Sequence, residues 1–352
     1  MQRFLTHYIR TPLLVALIVF ILTSCGNGTT SNSSQSAPVT VRLAYFTGIH
    51  HIAAHIGLAR KTYEQALAPN RLETTVFNVG VDEINAMAAK SIDIGFIGSG
   101  PPVNGYVKSK GSLLRVVAGA ANGGQLFVVQ PTINGPQDLH GKKIADPGTG
   151  GTQDVSLRYY LKKHGLAPTD KGGDVQIVPG QNADSVSLFR QKQIDGAWIP
   201  EPFATRMVLE GKGKILIDER NEWPGGKFPT TVIVVRSAFL QEHSDIVKAF
   251  LKAEVETVQF INKDLAVAKN LDNEYLASLP GAKKLSQEIL DKAFSSIEVT
   301  YDPQAQAFFT AADHQYELGF LGTTKPDLQK IFDLGPLNSV LSEKGLPKVA
   351  AS

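Results

Sequence analysis

The stretch 139–165, LHGKKIADPGTGGTQDVSLRYYLKKHG, decides the fold. Residues 142–145 are a short run leading into Pro147-Gly148-Thr149-Gly150-Gly151, a cluster that continues neither strand nor helix and must turn. Thr152 can then cap a helix. Asp154 falls in its first turn, Lys162, Lys163 and His164 fall in its last, and Gly165 stands where a left-handed cap is wanted. A strand, a glycine turn and a helix N-terminus together make an anion site, because first-turn N–H groups lack intrahelical partners and glycines let a ligand reach them. The plainer reading is a strand-to-helix turn with no ligand. Two nucleotide readings fail. A P-loop needs Gly-Lys-Ser/Thr where Thr152-Gln153 stands, and a dinucleotide fingerprint needs a third glycine at Gln153. What remains is a small anion held by neutral donors.

Working outward, strand and helix patterns alternate on both sides of this stretch. A buried strand is expected over 39–46, a helix over 50–67, a strand over 72–79, a helix over 81–90 and a strand over 92–97. The same order recurs after Gln125 through 143–145, 153–164, 175–178, 183–191 and 194–199. The halves share words. Lys90-Ser91-Ile92-Asp93-Ile94-Gly95 is echoed by Lys192-Gln193-Ile194-Asp195-Gly196-Ala197. This predicts an α/β molecule of two lobes, each an open, mainly parallel sheet flanked by helices. The apolar runs 126–129 and 231–235 read as two hinge strands where the chain leaves the first lobe and returns to it. The expected division is 39–124 for lobe one, 125–230 for lobe two and 231–352 for the return. Further helices are expected over 237–263, 291–297, 303–318 and 327–332.

The first residues read as an address. Arg3 and Arg10 precede the apolar run 13–22, and Leu22-Thr23-Ser24-Cys25 closes it with small residues before a cysteine. That pattern resembles a bacterial lipoprotein signal, which implies cleavage of 1–24, lipid at Cys25 and an extracytoplasmic protein anchored to a membrane. Residues 25–38, rich in Ser, Thr, Asn and Gly, would then be a flexible tether. Cys25 is the only cysteine, so intramolecular disulfides and cysteine-based metal clusters are excluded. Removing Arg3 and Arg10 from the 35 basic residues leaves 33, against 33 acidic ones. A neutral mature chain gives no electrostatic footprint for nucleic acid.

In open α/β sheets ligands collect outside the carboxyl ends of the strands. The loops there nominate Phe46, Thr47 and His50 after the first strand, Ser99 and Gly100 after the third, and Gln125 at the hinge. The second lobe adds Thr149, Gly150, Thr152 and Gln153, the run Gly180-Gln181-Asn182, and Trp198 with Glu201. Ser99 reads equally well as a helix cap, and Trp198 most simply as core. His51 and His55 are spaced as a metal pair, but no further ligand stands near them, so no metal is expected. No Gly-x-Ser-x-Gly or spaced carboxylate pair announces an enzyme, and no cofactor is expected.

With these pieces placed, the chain from about Val39 to Pro347 resembles the substrate-binding proteins of the aliphatic sulfonate, taurine and nitrate group of ABC importers. The likeness is carried by Ala44-Tyr45-Phe46 with His50 and Ala53, by Asp93-Ile94-Gly95-Phe96-Ile97-Gly98, by Leu139-x-Gly141-Lys142-Lys143-Ile144-Ala145 and by Thr152-Gln153-Asp154. Ile194-Asp195-Gly196-Ala197-Trp198-Ile199-Pro200-Glu201-Pro202 and Trp223-Pro224-Gly225-Gly226-Lys227-Phe228 complete it. The resemblance implies a two-lobed periplasmic-binding fold of the second type, acting as a monomer that delivers a small anionic solute to a permease and its ATPase. Thr47 replaces a proline found in some members, and Ser91 a glycine. A sulfonate suits several neutral donors, with its tail between Phe46, Trp198 and Phe228. Nitrate or bicarbonate would use the donors without the walls. A thiamine-pyrimidine precursor held by Glu201, and a receptor-docking sensor, are the competing readings. Enzymes resembling thiamine-pyrimidine synthases use a cysteine-rich motif that this chain lacks.

Overall fold

The computed structural model describes residues 37–351; residues 1–24, Cys25 and the tether up to Ser36 lie outside the described residues. β1 (Thr40–Tyr45), β2 (Arg71–Val76), β3 (Ile94–Ile97) and β4 (Leu114–Gly123) share one direction. Between them stand α1 (Ile52–Ala59), α2 (Thr62–Leu67), α3 (Gly80–Ala88) and α4 (Gly100–Lys108). Past Gly124 the chain builds a second sheet from β5 (Gln125–Val129), β6 (Lys143–Asp146), β7 (Gln176–Pro179), β8 (Gly196–Pro200) and β9 (Lys214–Asp218). Its helices are α5 (Thr152–Lys163), α6 (Asn182–Arg190) and α7 (Phe203–Gly211). The chain then returns as β10 (Pro229–Arg236), which inserts antiparallel between β3 and β4. Helices α8 (Ser237–Glu242), α9 (Ser244–Lys263), α10 (Leu265–Ser278) and α11 (Gln287–Phe294) follow, then edge strand β11 (Ile297–Val299), α12 (Ala305–Glu317) and α13 (Gly335–Glu343).

The strand orders are β11-β4-β10-β3-β1-β2 and β7-β6-β8-β5-β9. The strands that feed βα units run the same way in each sheet, and the reversed strands are the two crossovers with β11. Both sheets belong to one compact unit that begins at Pro38. The central strands are buried on both faces, which is why β3 and β8 are apolar throughout and β5 is so after Gln125. Side chains alternate between the faces. Ile94 and Phe96 pack with Phe250 of α9, whereas Ile97 packs with Phe308 of α12. In the second sheet Phe127 and Trp198 share one core, and Val128, Ala197 and Ile199 share the other.

The repeated words have one structural job. Asp93 accepts from the backbone N–H of Arg42 at 3.1 Å, tying β3 to β1, and Asp195 accepts from that of Lys143 at 2.9 Å, tying β8 to β6. Lys90 and Lys192, which open the two words, are both left-handed, with φ of 61° and 59°. Asp93 also holds Arg236 of β10 at 2.7 Å, so the returning strand is fixed by the same carboxylate.

Three helices differ from expectation. The one expected over 50–67 breaks at Lys61, whose φ of 56° no helix continues through. The one expected over 291–297 starts earlier, at Gln287, and Ile297 opens β11 instead. No helix forms over 327–332; Phe332 pairs with Val116 beside β4, and the helix starts at Gly335 with Pro336 in its first turn.

Candidate functional site

Five helices aim their N-termini at one cavity. α3, α4, α5, α6 and α7 begin just past the ends of β2, β3, β6, β7 and β8, so the topology alone brings their first turns to the carboxyl edges of the sheets. The cavity there measures about 130 Å³. The first sheet lends it Phe46, Thr47, His50 and His51 after β1, residues 77–80 after β2, and Gly98 with Pro101 around the start of α4. From the second come Pro147, Gly148, residues 151–153 and 181–183, Pro200 and Phe203, while Thr230 of β10 completes the wall. None of the five helices carries a side-chain cap. At α3, α5 and α6 the first-turn N–H groups therefore have no side-chain acceptor, whereas in α4 the Gly100 N–H is taken by Thr152 and Pro101 and Pro102 have none, and in α7 the Thr205 N–H is taken by Glu201.

The lining contains no Lys, Arg, Asp or Glu. What it has are helix ends, each equivalent to roughly half a positive charge and contributing about 0.3–2 kcal/mol toward an anion. His50 and His51 are buried, and the Nδ1 atom of each lacks a hydrogen-bond partner. Burial pushes the His50 imidazole down to about 3, against a smaller opposing pull from the Glu201 backbone, and burial likewise holds His51 well below the usual range. Both rings are thus neutral at physiological pH, each with one N–H and one acceptor nitrogen, and the N–H of His50 is shared with the Glu201 carbonyl. His55 has a different task. Its Nδ1 meets Asp272 at 2.6 Å and its Nε2 meets the Phe46 carbonyl at 2.7 Å, which fixes the backbone that presents Phe46. No cluster of potential metal ligands occurs among the described residues.

The two halves touch beside the cavity. The Gly100 N–H at the start of α4 donates to the Thr152 hydroxyl at the start of α5, 3.1 Å away. Behind that bond α12 lies on α5. Tyr159 stacks on His314 with ring centroids 3.5 Å apart, and Lys162 pairs with Glu317 at 2.9 Å.

The nominated residues divide by position. Phe46, Thr47, His50, Thr152 and Gln153 stand together on the cavity wall. Thr152 is not a cap: the helix starts on it, with Gly151 at the capping position, and its hydroxyl serves Gly100. Ser99 and Gly100 line a separate void of about 10 Å³ behind the Thr152 contact, and the Ser99 hydroxyl caps nothing. Thr149 and Gly150 lie outside the lining; a Cβ on Gly150 would face Phe320, and the Gly150 N–H is already given to Asp154 at 2.7 Å. Gln125 is buried on β5 opposite Pro200, with neither amide atom bonded. Trp198 faces the core away from the cavity, stacks on Phe127 and donates to Glu219 at 2.7 Å. Glu201 is buried beneath the wall, its carboxylate bonded to the N–H and hydroxyl of Thr205 at 2.9 and 2.8 Å. Phe228 packs on Trp223, not on the cavity. The aromatic walls beside Phe46 are instead Phe77, one residue past β2, and Phe203, first in α7. The strand-end rule that nominated Phe46 applies equally to both.

A family comparison agrees with this layout: the model of the NMT1-like family matches residues 34–272. This chain belongs to the NMT1-like family. Among its relatives is the taurine-binding periplasmic protein of Escherichia coli (strain K12), 29% identical over 249 residues, covering 70% of this chain and 75% of that protein. Solved structures share the fold. The periplasmic nitrate-binding protein of Synechocystis PCC 6803 superposes with a TM-score of 0.75 at 16% identity, covering 88% of this chain and 90% of that one. The alkanesulfonate-binding protein of Xanthomonas axonopodis pv. citri, bound to MOPS, gives 0.67 at 19%, covering 82% and 96%. The fold of this NMT1-like chain is thus the two-lobed periplasmic-binding fold of the second type, and the relatives are binding proteins, not enzymes.

Proposed function

We propose that this chain captures an aliphatic sulfonate in the cleft between its sheets and hands it to the permease and ATPase of an ABC importer. The observation that carries the reading is the convergence of three helix N-termini without side-chain acceptors, those of α3, α5 and α6, and of two neutral imidazoles on a cavity without a charged side chain. A sulfonate keeps its charge at all physiological pH and spreads it over three oxygens, which suits many fixed N–H donors better than one lysine. Phe46, Phe77 and Phe203 supply apolar surface that nitrate or bicarbonate would leave unused. Thr47, His50, Thr152 and Gln153 are the proposed polar contacts. The names of the relatives support a sulfonate.

The lining has no carboxylate to receive an ammonium group, and an unpaired buried cation is costly. A plain alkanesulfonate is therefore expected to bind about tenfold or more tightly than taurine, roughly 1.4 kcal/mol. Titration calorimetry of 39–352 against ethanesulfonate, butanesulfonate, taurine, nitrate and bicarbonate tests this. Nitrate binding more tightly than every sulfonate would overturn the reading.

The proposed division into lobes at Gln125 and Thr231 makes capture a closing motion. The site of action is proposed to be outside the cytoplasmic membrane, with lipid on Cys25 as the anchor. Cys25→Ser should move the protein from the membrane to the soluble fraction with its melting temperature unchanged. A variant that still sediments with membranes would refute the anchor.

A further inference from the structure

The turn at the centre of the cleft rests on two buried acids. Asp146, at the end of β6, is 1% exposed, and Asp154, in the first turn of α5, is fully buried. Each holds one N–H of the turn between them: Asp146 Oδ1 accepts from Gly148 at 2.8 Å, and Asp154 Oδ2 accepts from Gly150 at 2.7 Å. Asp154 is further paired through its Oδ1 with the Nε of Arg158 at 2.6 Å. Among the described residues Asp146 has no cation of its own within salt-bridge distance, and no N–H or O–H donor reaches its buried Oδ2. Asp154 acts on Asp146 both as a nearby charge and as a side-chain hydrogen-bond partner. Two carboxyls can share a hydrogen bond there only if one of them carries a proton, since ionised carboxylates are acceptors alone.

We propose that Asp146 is a positioning residue for the anion cradle that works as a neutral acid, its proton bridging to Asp154 while its other oxygen holds the Gly148 N–H. The inference rests on the anion reading above. Gly148 lines the cavity, so the acid that sets its orientation stands directly behind the ligand. With the proton in place the turn is braced and adds no charge. Once the proton leaves, a negative charge appears behind the cradle, opposed to the bound anion and to Asp154 alike.

The surroundings define the window. Burial, then the Asp154 charge, push Asp146 up to about 8, against the Gly148 N–H bond and, more weakly, Arg158. Arg158 shares its guanidinium with Asp170 at 2.9 Å. β7 and β8, which flank β6, bring no ionisable side chain. Because the folded-state value lies above the usual 3.8, the native chain keeps a proton that the unfolded chain releases. Its contribution to stability is lost as pH rises between those two values and changes no further above them. Anion capture should behave similarly near the upper end, drawing a proton in as the ligand binds.

The test is titration of butanesulfonate into residues 39–352 from about pH 6.5 to about pH 9.5, in buffers of differing ionisation enthalpy. Affinity is expected to fall on the order of tenfold across the window, with proton uptake near its middle. Asp146→Asn keeps an acceptor for Gly148 and should bind with no slope and no uptake. Glu201, which burial raises to about 7, is the other acid near the wall, so the slope must persist in Glu201→Gln. An equal slope in wild type and Asp146→Asn would overturn the proposal. Should Asp146→Asn fail to fold, carbon NMR of the wild-type carboxyl decides: titration near 8 supports the proposal, and an ionised Asp146 at neutral pH overturns it. That spectrum needs no ligand. A protonated Asp146 in a chain that binds no sulfonate at any pH would therefore count against the function proposed above and not against the acid pair.

Discussion

Gly98→Val is expected to weaken sulfonate binding by about a hundredfold or more, close to 3 kcal/mol, while the free protein melts near the wild-type temperature. A Cβ on Gly98 would lie 2.4 Å from the Thr152 hydroxyl oxygen, and one on Gly100 would lie 3.1 Å from the Thr152 backbone N and Cα. These are contacts between the two halves, not within either core. The collision vanishes if the halves separate, so the free protein can escape it and the closed, ligand-holding form cannot. Small-angle scattering distinguishes the cases. The variant should show the larger radius with and without butanesulfonate, whereas wild type should contract on binding. Wild-type affinity in Gly98→Val would mean that closure at Thr152 is not part of capture.

Gln153→Glu is expected to abolish anion binding without harming the fold. Gln153 is the second residue of α5 and stands on the cavity wall. A carboxylate there meets a bound sulfonate within about 5 Å, which at an effective dielectric near 20 costs about 3 kcal/mol. Helix chemistry runs the other way. A negative side chain in the first turn favours the helix by roughly 0.3–1 kcal/mol. Melting temperature should therefore hold or rise while affinity collapses, a pairing that general damage cannot produce. Butanesulfonate bound at wild-type strength by a folded Gln153→Glu protein would remove the helix ends of the second sheet from the site.

The central strands, the crossovers and the edge at which the cleft opens were legible because each rests on periodicity and strand polarity, whereas β4 and β11 of the first sheet went unread. The parity of β8 already places Ala197 and Ile199 on one face and Trp198 on the other, so its indole had to choose the core. Thr149 and Gly150 show the limit of a motif. Glycines in a turn show that N–H groups can be approached, not who approaches them. Asp146 and Asp154 flank the turn in the sequence, and they claim two of its N–H groups before any ligand does. Asp154 reads as a helix-dipole charge until its geometry is known. The strand β9 and the helix α13 went unread for another reason. Lys214–Asp218 has only three apolar residues between charged ones, a run too short to announce a strand, and Gly335 with Pro336 resembles a stop more than a start.

The helix ends of α3, α5 and α6 have a consequence for genetics. A site that reads its anion as proposed, mostly through main-chain N–H groups, would offer little to an alanine scan, since truncating a side chain leaves the donor in place. The scarce mutations that matter will be those that add atoms or alter the chain path: valine at Gly98, a carboxylate at Gln153, a residue that moves the start of α6. Drift at the remaining lining positions would then change which tail fits while the hold on the charged head persists.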